Sequence, residues 1–73
     1  MRTRLAKFMA ANEITPLRLA VRAGVTAQHL GNLKAGRSDP KRPTMVALAR
    51  SAGAILRRKV RVTELFDLGD GER

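Results

Sequence analysis

The chain has 73 residues, the size of one compact domain. It sets 15 Lys and Arg against 6 Asp and Glu, a formal net charge of +9, and holds no cysteine. Disulfides and thiolate metal sites are thereby excluded, and no apolar run reaches the roughly 20 residues that span a bilayer.

The isoelectric point near 11.8 predicts a polyanionic partner, because a domain this basic repels itself. Nucleic acid fits best, with an anionic membrane surface as the other class. Phe8 and Phe66 are the only aromatic residues. Single-stranded binders and sheet-based RNA binders stack bases on aromatic side chains, so double-stranded DNA is favoured over single strands. No stretch of signal-peptide length follows the basic N-terminus, and a cytoplasmic protein is expected.

The first helix is expected over Thr3 to Ala11, with Leu5, Phe8 and Met9 on one apolar stripe. After a polar break at Asn12-Glu13, Thr15 offers an N-cap oxygen and Pro16 occupies the first helical position. Ile14 and Leu19 have the spacing of a hydrophobic staple. The second helix therefore runs from Pro16 to about Ala23, and Gly24 ends it as a left-handed residue.

The same signal recurs at once, with Thr26 as cap and Val25 and Leu30 as staple. The third helix reaches about Ala35, before Gly36. Leu30 and Leu33 lie on one side of it; Ala27, Gln28, Gly31 and Asn32 lie on the other. Two short helices joined through a Gly-Val turn describe a helix-turn-helix.

A polar loop from Arg37 to Arg42 leads to a fourth helix starting near Pro43-Thr44, with Met45, Leu48, Ala52 and Ile55 on one side. Its end is expected at Gly53 or at Arg57-Arg58, where positive charge suits a helix C-terminus. Lys59 to Val62 reads as extended, and Thr63 as the cap of a last short turn holding Leu65, Phe66 and Leu68. Residues 69–73 read as a disordered tail after a domain covering 1–68. The fold class expected is all-α, a compact bundle of about five short helices.

The segment LAVRAGVTAQHLGNLKAG, from Leu19 to Gly36, resembles the helix-turn-helix core of the lambda repressor and Cro-like (XRE) family. Pro43-Thr44, Leu48-Ala49, Ala52 and Glu64-Leu65-Phe66 resemble its fourth and fifth helices. The resemblance implies a transcriptional regulator, a Cro-like repressor that binds a palindromic DNA operator as a homodimer in a bacterial or phage-infected cell, associated with the nucleoid. By position it implies base reading by Ala27, Gln28 and Asn32, with Thr26 nearer the backbone. Gln and Asn can each make two hydrogen bonds to adenine, and an alanine methyl can touch the thymine methyl.

Phosphate contacts are expected from Lys34, Arg37, Lys41 and Arg42 around the reading helix, and from Arg18 or Arg22 on the second helix. His29 is expected at the groove margin against phosphate, and Gly31 where DNA or a neighbouring helix comes close. The family often has a phosphate-binding Gln where this chain has Pro16, which assigns that role to Thr15 or Arg18. The basic run Arg57, Arg58, Lys59, Arg61 departs from the family's short turn and fits either phosphate or a dimer edge.

Leu17 and Val21 lie off the expected core face, to pack on the C-terminal segment or to meet a partner. The latter fits a DNA-binding antitoxin of a toxin–antitoxin pair. No nucleophile–base pair, paired carboxylates or phosphate-binding glycine loop occurs, so no enzyme, cofactor, metal or small-molecule ligand is expected.

Overall fold

The computed structural model describes residues 3–66, which form five α-helices. These are α1 (Arg4–Ala11), α2 (Pro16–Ala23), α3 (Ala27–Ala35), α4 (Arg42–Leu56) and α5 (Val62–Leu65). No strand occurs among the described residues, so the all-α expectation holds. Leu68 and the expected tail lie outside them.

Each helix contributes one fully buried leucine to the centre: Leu5, Leu19, Leu30, Leu48 and Leu65. Met9, Ile14, Ala20, Leu33, Ala49, Ala52, Val60 and Phe66 complete the core. The main contacts close a ring, in which α1 packs on α3 and α5, α2 on α3 and α4, and α4 on α5. Because α3 lies between α1 and α2, one of its faces is committed to the core and the opposite face is left outward.

The caps explain where the helices stop. After α2, Gly24 turns left-handed at φ 75°, and Val25 N–H donates to the Ala20 carbonyl at 3.0 Å. After α3, Gly36 does the same at φ 78°, with Arg37 N–H donating to the Asn32 carbonyl at 2.9 Å. These are the two glycine stops expected from sequence. The chain uses the same turn twice more, without glycine, at Glu13 (φ 55°) and Arg57 (φ 58°). There Ile14 N–H reaches the Met9 carbonyl at 3.0 Å, and Arg58 N–H reaches that of Gly53 at 3.1 Å. The burial of Ile14 and Val60 beyond these turns offsets the left-handed cost, about 1–2 kcal/mol for a side-chain-bearing residue.

Three local expectations change. Thr15 occupies the N-cap of α2 in extended backbone, but its hydroxyl makes no cap bond. α4 begins a residue earlier than expected, at Arg42, because proline is tolerated anywhere in the first turn. α4 continues through Gly53 to Leu56 with Arg57 as its C-cap, the second of the two ends expected. Finally, α5 is capped by Arg61 rather than Thr63, and Val62 is its first residue, not the end of an extended segment. The Glu64 carboxylate accepts from Arg61 N–H at 3.0 Å and from the Arg58 guanidinium at 3.2 Å. That backbone bond, then Arg58, holds the Glu64 carboxyl below its ordinary value. The cap therefore contributes fully above the unfolded carboxylate pKa and fades as pH falls through the lowered one.

Gly53 is glycine because the chain returns over it. A Cβ built there would lie 2.7 Å from the Arg58 carbonyl oxygen, a backbone atom that cannot step aside. Gly53→Ala is expected to cost about 1–3 kcal/mol, although alanine favours a helix. A lower denaturation midpoint at unchanged m-value is the check.

Candidate nucleic-acid interface

The outward face of α3 is built from behind. Leu30 and Leu33 are buried beneath it, and Thr26 caps its start by accepting from His29 N–H at 2.9 Å. At its other end the Thr3 hydroxyl donates to the Lys34 carbonyl at 2.7 Å while accepting from Ala6 N–H at 3.1 Å. One side chain thus starts α1 and ties it to the last turn of α3. Neither role of Thr3 was read from the sequence: the cap on Ala6 is local and had a signal in Thr3 itself, whereas the tie to Lys34 joins residues far apart along the chain.

On that braced helix Ala27 and Gln28 are exposed, and His29, Gly31 and Asn32 are half-buried. The three expected base readers therefore share one outward surface. A Cβ at Gly31 would meet nothing within 4 Å, so intramolecular packing gives no reason for the glycine. Of the two sequence-based reasons for it, close helix packing falls away.

The basic residues divide into groups. Arg37 lies beside the outward face of α3, and its Nε donates to Asn32 Oδ1 at 3.2 Å. Lys34 lines an open cleft with Glu13, Thr15 and Pro16, which brings Lys34 and Thr15 to one side of the domain. Arg42 instead borders a shallow groove between α2 and α4 with Arg22 and Arg50. Arg50 was not anticipated; its signal is the spacing of Arg42, Val46 and Arg50, which puts them on one face of α4. Lys41 and Arg18 are exposed.

The run Arg57 to Arg61 is partly engaged within the domain. Arg58 pairs with Glu64 and lies 5.8 Å from the centre of the Phe8 ring, and Arg61 caps α5. Arg57 and Lys59 remain exposed.

The chain matches no family model, no curated protein and no solved structure.

Leu17 and Val21 are the exposed large hydrophobics of the described residues, at 67% and 71%. They do not pack on the C-terminal residues described. With Thr15, Arg18 and Arg22 they form one outer surface of α2.

Proposed function

We propose that the chain is a sequence-specific, double-stranded DNA-binding transcriptional regulator of the helix-turn-helix type, without catalytic activity. In this reading it is a repressor that binds a palindromic operator as a homodimer. The observation that carries it is α3, pinned at its back by Leu30 and Leu33 while Gln28 and Asn32 face outward around a bare Gly31. A major groove about 12 Å wide admits such a helix. The resemblance of Leu19 to Gly36 to the lambda repressor and Cro-like family supports the same reading.

The charge distribution supports it as well. Lys34, Arg37 and Lys41 flank the reading helix on the side of its C-terminus. Thr15, whose hydroxyl is not spent on capping, stands at the start of α2. Helix N-termini attract phosphate through their free amides, so the loss of the expected cap strengthens the role given to Thr15. Principal extents of 31 × 26 × 23 Å let two copies sit side by side on half-sites about 34 Å apart. The five helices, with their caps and shared core, favour a domain packed in water over a membrane-surface amphipath.

The exposed Leu17 and Val21 favour, as a second reading within DNA binding, an antitoxin that also holds a protein partner. Co-purification of a toxin that is lost in Leu17→Asp would support it.

Gly31→Ala separates a glycine kept for its ligand from one kept for folding. Alanine should stabilise the free domain by about 0.5–1 kcal/mol, because nothing obstructs the added methyl. The same substitution should weaken binding to the preferred duplex. Thermal melting and a titration on one preparation read both effects.

Selection of binding sites from random duplex DNA tests the function. The expected product is a short inverted repeat. Equal affinity for every duplex would instead identify a non-specific nucleoid protein.

A further inference from the structure

Arg37 is held against Asn32 twice. Its backbone N–H donates to the Asn32 carbonyl at 2.9 Å, closing the turn in which Gly36 is left-handed. Its side-chain Nε donates to Asn32 Oδ1 at 3.2 Å. The first bond is part of how α3 ends, so it sets the direction from which the side chain returns to the helix. A half-buried asparagine with no other side-chain partner among the described residues otherwise samples both orientations of its amide, and only one of them fits a given base edge.

We infer that Arg37 is a positioning residue for base recognition, fixing the Asn32 amide with its oxygen toward Arg37 while its remaining guanidinium N–H groups engage a DNA phosphate. The inference rests on the DNA-reading assignment of α3. The atoms suffice for both tasks. Asn32 Oδ1 keeps a second lone pair and Nδ2 keeps both hydrogens, the set that adenine N6–H and N7 require. Arg37 uses one of its five N–H groups on Asn32 and retains four. The phosphate contact then also sets the register of the reading side chain, linking two contacts that are usually counted apart.

Lysine at this position separates charge from orientation, because it keeps the positive charge and lacks the Nε–H fork. The assay is titration of the duplex selected by the wild type, and of its single-base-pair variants, with wild type, Arg37→Lys, Arg37→Ala, Asn32→Ala and Arg37→Lys/Asn32→Ala. The pair read by Asn32 is the one at which Asn32→Ala stops discriminating. Arg37→Lys should retain the wild-type salt slope yet lose about 3- to 10-fold of discrimination at that pair alone. Arg37→Ala should lose the same discrimination and also flatten the slope by about one unit. In the Asn32→Ala background, Arg37→Lys should change nothing further, the mark of coupling between the two residues.

Full discrimination in Arg37→Lys, or equal weakening on every duplex in Arg37→Ala, overturns the positioning role and leaves Arg37 as a phosphate contact. A wild type that selects no sequence overturns the underlying DNA-reading assignment, and the positioning role with it. Melting temperatures of all variants within a few degrees of wild type confirm that the comparison concerns the interface.

Discussion

Leu30→Ala is expected to destabilise the domain by about 2–5 kcal/mol and to leave little folded protein at physiological temperature. Leu30 is fully buried in α3, the helix gripped between α1 and α2, and truncation would open a cavity that those helices cannot close. A domain of this length hides only about 60% of its unfolded surface, so its total stability lies toward the low end of the usual range, about 5–15 kcal/mol. One buried leucine is then a large fraction of the whole. The melting temperature should fall by roughly 8–40 °C, given about 4–8 °C per kcal/mol for a domain of this size. Leu17→Ala, the same chemical change at an exposed position of α2, should move it by only a few degrees. Similar melting of the two variants would show that α3 is not anchored through its inner face.

Gln28→Ala is expected to act on the proposed DNA recognition rather than on folding. Gln28 is exposed on the first turn of α3, next to the Thr26 cap, and no hydrogen bond within the domain engages its side chain among the described residues. Its removal should leave the melting temperature nearly unchanged. It should cost about 1–3 kcal/mol of preference at a single base pair, about 5- to 150-fold, while affinity for unrelated duplexes stays the same. Lys41→Ala makes the contrast. Loss of the phosphate contact proposed for Lys41 is expected to weaken all sequences alike and to reduce the salt slope by about one unit. A selected motif that is identical for wild type and Gln28→Ala would remove Gln28 from the reading set.

The two motif helices were legible because each boundary has a residue with one physical role. Thr15-Pro16 and Thr26 start helices, Gly24 and Gly36 stop them, and the apolar spacing of Leu19, Leu30 and Leu33 fixes the inward faces. The turns at Glu13 and Arg57 were not legible, since neither residue favours a left-handed backbone and its cost is offset by the tertiary burial of Ile14 and Val60 beyond them. Gly53 was ambiguous for a related reason. In sequence a stop glycine and a crossing glycine look alike, and only the carbonyl of Arg58 above it separates them.

At the interface, the outward set Ala27, Gln28 and Asn32 followed from the helical period once Leu30 and Leu33 were assigned inward. What the period could not supply was the grouping of the cations. Arg37 sits with Asn32 because a left-handed Gly36 folds the chain back over the last turn of α3. Arg42 joins Arg22 and Arg50 because α2 and α4 pack side by side. Both are consequences of tertiary geometry rather than of residue type.

The most direct test of α3 as the proposed reading helix is a map of backbone amide shifts in the isotope-labelled chain as the selected duplex is added. The largest changes are expected from Ala27 to Asn32, smaller ones at Thr15 and from Lys34 to Lys41, and little at Arg57 and Lys59. Changes centred on Leu17 and Val21 or on the basic run before α5, with α3 silent, would contradict that role.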